Sequence, residues 1–135
     1  MKFVINILAS VLLLFNGIGA LLGGWILITH PDGSAMHLSL DLLKFTPFQD
    51  FLIPGIILFI VNGIFSMIAF RALIRKYKYA YWLILAQGVI LSGWIVIQIL
   101  LIRTIHPLHI LLIVIGIALI FLGFICRKCN SLNVR

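Results

Sequence analysis

Glutamate is absent from this chain, and its three acids are Asp32, Asp41 and Asp50. All three lie between residues 30 and 50, so a paired-carboxylate acid–base site anywhere else is excluded. The long apolar runs contain no Asp, Lys or Arg. Proton-coupled transporters generally rely on an ionisable group within the membrane, which is expensive to place and is kept for function. Small multidrug exporters of this size depend on a membrane glutamate, so that class is excluded as well. Thiols are scarce: Cys126 and Cys129 are the only two. A zinc site needs more ligands than two cysteines, and a dithiol redox role needs a partner or cofactor. They read as inert thiols or as a lipidation point beside basic residues. No nucleophile–base pair, phosphate-binding glycine loop or nucleic-acid motif is visible.

What the chain does have is four apolar runs, Phe3–Ile28, Phe51–Phe70, Tyr79–Ile102 and Leu108–Cys126. Each is close to the roughly 20 residues that a helix needs to cross the hydrocarbon core. In lipid the backbone must satisfy its own hydrogen bonds, which a helix does within one segment. The expected fold is therefore an all-α membrane protein, a four-transmembrane-helix bundle in a single domain over residues 1–135. The spans are expected at about 3–29, 47–74, 79–102 and 107–126, with an outer loop over 30–46. The first run outlasts a typical signal-peptide core, so it reads as a retained span.

Charge sets the orientation. Lys2, Arg71, Arg75, Lys76, Lys78, Arg127, Lys128 and Arg135 fall on one side of a four-span chain, whereas Lys44 and Arg103 fall on the other. The positive-inside rule then places both termini in the cytoplasm. The same basic face would attract anionic lipid. With this topology the two cysteines face inward, unlike those of four-helix membrane thiol oxidases.

An internal match suggests two parallel hairpin repeats. Residues 54–64 align without gaps on residues 107–117, sharing Pro, Gly and several aliphatic positions at an offset of 53. Gly24-Trp25-Ile26 and Gly93-Trp94-Ile95 match at an offset of 69, so the first outer loop carries an insertion. Inserted loop sequence is a usual carrier of function. Within it, Pro31-Asp32-Gly33-Ser34 is turn chemistry. Residues 35–45 place His37, Asp41 and Lys44 on one face of a short interfacial helix. Strict alternation from Met36 to Leu42 leaves a strand open as well. Thr46-Pro47-Phe48-Gln49 reads as a capping box that starts the second span, and Pro54 predicts a bend in it.

All four histidines and all three acids map to the outer side. His30, Asp32, His37, Asp41, Asp50, His106 and His109 are the candidate ligand- or partner-binding residues. Imidazoles and carboxylates converging at one mouth could take a divalent metal or sense pH; no other cofactor is implied. His30, Asp50 and His106 are expected to share a ligand or hydrogen-bond network. Polar residues simply collecting where the chain meets water is the alternative. Asn16, Asn62, Gln87 and Gln98 are uncharged polar groups within the spans, suited to interhelical hydrogen bonds or to a polar path. Gly19-x-x-x-Gly23 is a small-residue helix contact of the usual spacing.

Residues 46–55, Thr-Pro-Phe-Gln-Asp-Phe-Leu-Ile-Pro-Gly, together with Trp94-Ile-Val-Ile-Gln98, resemble a family of small bacterial four-helix integral membrane proteins with no assigned activity. The resemblance implies a bacterial cytoplasmic (inner) membrane location and nothing about chemistry. The functional expectation is a non-enzymatic accessory or binding subunit that meets a partner or ligand through its outer loop, as a homo-oligomer or within a larger membrane complex. The alternative is a small oligomeric transporter or channel-like protein. The lipid bilayer is a partner in either case, and nucleic acid in neither.

Overall fold

The computed structural model of the protein describes residues 2–37, 39–103 and 105–133. The described residues are all-helical in their regular structure, with no strand among them. Helix α1 (Lys2–Thr29) is followed by two single-turn 3-10 helices, Ser34–Met36 and Leu40–Leu43. A second long helix runs as α2 (Leu52–Ile57), a π-helical segment (Leu58–Ile64) and α3 (Phe65–Ile74). Helices α4 (Ala80–Ile102) and α5 (Pro107–Asn133) complete the bundle. Among the described residues, four helices are long and apolar enough to cross a membrane: Lys2–Thr29, Leu52–Ile74, Ala80–Ile102 and Pro107–Cys129.

The helices stop where the backbone chemistry changes. Thr29 closes α1 by donating its hydroxyl to the Trp25 and Ile26 carbonyls at 3.0 and 3.2 Å, and Pro31 prevents continuation. At the end of α3, Lys76 N–H reaches Leu73 O at 3.1 Å and Tyr77 N–H reaches Ala72 O at 3.0 Å. That is a Schellman cap, and Lys76 occupies its left-handed position at φ 56°, where glycine is usual. Arg103 closes α4 similarly at φ 61°, its N–H on Ile99 O at 2.8 Å.

Two expectations about the loop and second span are corrected. Residues 35–45 form no continuous interfacial helix, because His37 adopts φ 55° and ends the first short turn, while Ser39 caps the second. The second span starts at Leu52 rather than Pro47. A helix begun at Pro47 would put Pro54 in its interior, at a cost of about 3 kcal/mol. Begun at Leu52, it places Pro54 in the first turn, where the missing N–H would have no intrahelical partner. Departure from α geometry comes at the π segment, beyond Pro54.

The helices pair as two hairpins joined into one core. Along the first, a Cβ on Gly24 would lie 2.7 Å from Phe59 Cβ and 2.9 Å from Gly55 O, and one on Gly63 would lie 2.8 Å from the Leu21 side chain. Along the second, one on Gly88 would lie 2.7 Å from Gly116 O. Gly19 meets nothing within 4 Å and Gly23 makes only an ordinary contact with Leu58. The expected Gly19-x-x-x-Gly23 seam is therefore displaced to Gly17 and Gly24, the faces turned toward Met67 and Phe59. The repeat offsets fare differently. Gly63 and Gly116 both sit at hairpin crossings, but Gly24 is tightly packed where Gly93 faces open space. Leu13, Ile84, Leu91, Ile95 and Leu119 fill the shared core. Phe15, Leu22, Val114 and Phe121 are among the many large apolar side chains facing outward, as a lipid-facing surface requires.

Candidate functional site

The long connection between α1 and α2 is fastened at its base. Phe51 N–H donates to Pro31 O at 2.8 Å, and Leu27, Leu43 and Phe51 form a second small core beneath it. The ends of the connection thus meet, and its side chains pack against Leu27 at the end of α1. A clasp holds its far side. Phe45 lies under two cations, Lys44 Nζ at 4.9 Å and Arg103 Cζ at 4.1 Å from its ring centroid. Lys44 and Arg103 are the two basic residues at this end, and both are used on one ring.

Among the expected site residues of the loop, the side chains of Asp32 and Asp50 take local backbone roles. Asp32 accepts the Ser34 N–H at 3.0 Å. The Ser34 backbone N–H, then its hydroxyl, hold the Asp32 carboxyl below the ordinary carboxylate value, and nearby His30 acts in the same direction. Ser39 Oγ accepts the Asp41 N–H at 3.2 Å, capping the second 3-10 turn. Thr46 Oγ1 donates to Leu43 O at 2.8 Å and accepts the Phe48 N–H at 3.2 Å, a local turn instead of the expected capping box. Asp50 accepts the Leu52 N–H at 3.0 Å and so starts the second span. His30 Nδ1 lies 3.1 Å from Thr29 Oγ1, and His37 is exposed.

His106 and His109 cap α5 reciprocally. His106 Nδ1 accepts the Leu108 N–H, and His109 Nδ1 accepts the His106 N–H, both at 3.1 Å, with the rings edge-to-face at 6.4 Å. Pro107 takes the first helical position, so imidazoles at its N-cap and third position do the work that Ser/Thr and Glu/Gln do in a capping box. Spacing around a helix-starting proline carries this signal in the sequence, where His-Pro reads only as a span terminator. Among the described residues, no three His, Cys, Asp or Glu side chains gather as a metal ion would need. His30, Asp50 and His106 accordingly form no such group; each finds a partner within three residues.

The intramembrane polar residues do come together, with one exception. Asn16 Nδ2 donates to Ser66 Oγ at 2.7 Å, joining α1 to α3. Gln87 Nε2 donates to Asn62 Oδ1 at 3.3 Å, joining α4 to the π segment. Asn62, Ser66 and Gln87 are fully buried and Asn16 is 4% exposed. Asn62 and Ser66 stand four residues apart on the second span, so the two pairs form one polar layer near mid-membrane. Asn62 Nδ2, Gln87 Oε1 and Ser92 Oγ are buried without a hydrogen bond, leaving the layer half satisfied. Gln98 lies outside it, about 16 Å further along α4 at 1.5 Å per residue. This layer has amides and hydroxyls but no group that changes charge near neutral pH, and its hydrogen bonds join α1, the second span and α4.

No protein-family model matches the chain, and no curated protein or solved structure matches it either. Fold and composition define a small multi-pass integral membrane protein.

Proposed function

We propose that the protein is a non-enzymatic accessory or binding subunit of the bacterial cytoplasmic membrane, with both termini in the cytoplasm and its outer loop presented to a partner. The sequence resemblance and the distribution of basic residues support the location. One observation carries the role: the polar groups of the mid-membrane layer are sealed in the bundle, whereas the loop is fastened at its base and offers its polar side chains outward. Asn62, Ser66 and Gln87 have no exposed surface. Ser34, His37, Ser39, Asp41 and Gln49 are exposed on a loop stapled at Pro31–Phe51 and clasped at Phe45. A loop ordered before binding loses less entropy on docking.

Photo-crosslinkers placed in cells at Asp41, and at the lipid-facing Val114 for comparison, test this reading. The Asp41 position should give one adduct of defined mass with another membrane protein, and Val114 should not. Adducts with itself alone, accompanied by solute flux in vesicles holding only the purified protein, would favour the oligomeric transporter along Asn16, Asn62, Gln87 and Gln98.

A further inference from the structure

At the end of the bundle opposite the loop, a cleft of about 360 Å³ opens between the start of α1, the α3–α4 turn and α5. Lys2, Asn6, Lys76, Tyr77 and Tyr81 supply its polar lining, and Phe3 and Leu73 part of its apolar lining. Asn6 Oδ1 accepts from Cys126 Sγ at 3.8 Å, which leaves the amide N–H groups as donors. The cleft thus offers ammonium, amide and phenol groups beside an apolar wall, and no carboxylate among the described residues.

The charge around it is uncompensated by any acidic side chain, since all three acids of the chain lie in residues 30–50 at the other end. Lys78 and Arg127, also at this end, are placed over the rings of Tyr79 and Trp82 at 5.7 and 5.2 Å. Lys2 and Lys76 are the two cations that line the cleft itself. Lys76 is held there at φ 56°, a position where a glycine would be less strained. Strained residues of this kind persist where the surrounding structure or a function holds them.

We propose that this cleft binds the phosphate of an anionic phospholipid from the adjoining leaflet, with Lys2 and Lys76 at the phosphate and the acyl chain along Phe3 and Leu73. The site is distinct from the loop and does not depend on its role.

Purified protein in neutral detergent, titrated separately with phosphatidylglycerol, phosphatidylcholine of equal chain length and inorganic phosphate, tests the assignment by native mass spectrometry. Phosphatidylglycerol should be retained preferentially. The pair Lys2→Gln with Lys76→Gln should weaken it about thirty-fold, from the strength of a lysine–anionic-lipid contact taken twice. Lys76→Gly relaxes the backbone, so its loss of binding cannot come from lost fold, and it should weaken the lipid about five-fold. Arg71→Gln with Arg75→Gln removes equal charge outside the cleft and should weaken it less than about three-fold. Equal losses from both pairs would overturn the site in favour of a diffuse basic surface. Equal retention of phosphatidylcholine would overturn the role of the phosphate charge. Displacement of the lipid by an equal concentration of inorganic phosphate would overturn the lipid assignment in favour of a free anion.

Discussion

Gly88→Ala and Gly93→Ala are the same substitution in the same helix, and the structure gives them opposite outcomes. A Cβ at Gly88 would lie 2.7 Å from Gly116 O and 2.8 Å from both the backbone N and the Cγ1 of Ile120. The first is about 0.7 Å short of the 3.4 Å at which ordinary contact begins. Two of these three atoms belong to the α5 backbone, so no rotamer change relieves them. Helix α5 must move away, which loosens Ile115 and Leu119 against Leu91 and Ile95 in the core. Overpacking of this kind costs about 1–3 kcal/mol. At Gly93 the added methyl meets nothing within 4 Å. Both variants gain about 1 kcal/mol of helix propensity over glycine, and that gain cancels when they are compared. Gly88→Ala should therefore be less stable than Gly93→Ala by about 1–3 kcal/mol. Unfolding by sodium dodecyl sulfate in mixed micelles, followed by circular dichroism, measures the difference. Equal midpoints, or a Gly93→Ala protein weaker than Gly88→Ala, would refute the close crossing of α4 and α5.

The polar layer should behave as a coupled pair. Asn62→Leu and Gln87→Leu alone each leave a buried amide without its partner, and the double variant should lose less than their sum by about 0.6–1.7 kcal/mol in the same unfolding titration. Additive losses would mean that the 3.3 Å contact contributes nothing. At the loop, Phe45→Ala removes the ring beneath Lys44 and Arg103, and trypsin should then cut after Lys44 faster in detergent-solubilised protein. An unchanged cleavage rate would refute the clasp. The Asp32 carboxyl is held below its ordinary value of 3.8, so its turn contributes above that value and is lost as pH falls through the lowered one. The Ser34 amide resonance should shift over that acid range in the parent and stay put in Asp32→Asn.

The four spans were legible because lipid allows little else: apolar runs of this length, with basic residues gathered in alternate gaps, leave a helix bundle as the one economical solution. The first, third and fourth spans keep to their apolar runs, with helices at Lys2–Thr29 and Ala80–Ile102 and a start at Pro107 for α5. The second span does not begin at its expected cap. Thr46-Pro47-Phe48-Gln49 is a sound local cap, but it competes with a start at Leu52 that spares Pro54, gives the Leu52 N–H the Asp50 carboxylate as acceptor and buries Phe51 on Leu27. Tertiary packing and one proline outweigh the local motif. The π segment was not legible at all. Leu58 to Ile64 is apolar except for Asn62, so no periodicity distinguishes a five-residue from a four-residue hydrogen-bond step. For the same reason Gln98 could not be told from Gln87, because α4 is apolar on every side.

The candidate site divides on a different principle. Histidines and aspartates crowd the loop end because helices and turns begin there, and each beginning leaves backbone N–H groups that need an acceptor. Asp32, Asp50, His106 and His109 supply those acceptors within one to three residues. A side chain reaches such a neighbour before it reaches a partner across the bundle, so a cluster in the sequence becomes a row of separate caps. Lysine and arginine have no acceptor atoms and cannot take that work. Lys2 and Lys76 gather at the opposite end, where the sequence places no Asp or Glu side chain to meet their charge. Asp32, Asp50, His106 and His109 are thus accounted for by the fold itself, whereas Lys2 and Lys76 line a cleft with no acidic side chain among its described residues, and the proposed phospholipid phosphate would answer their charge.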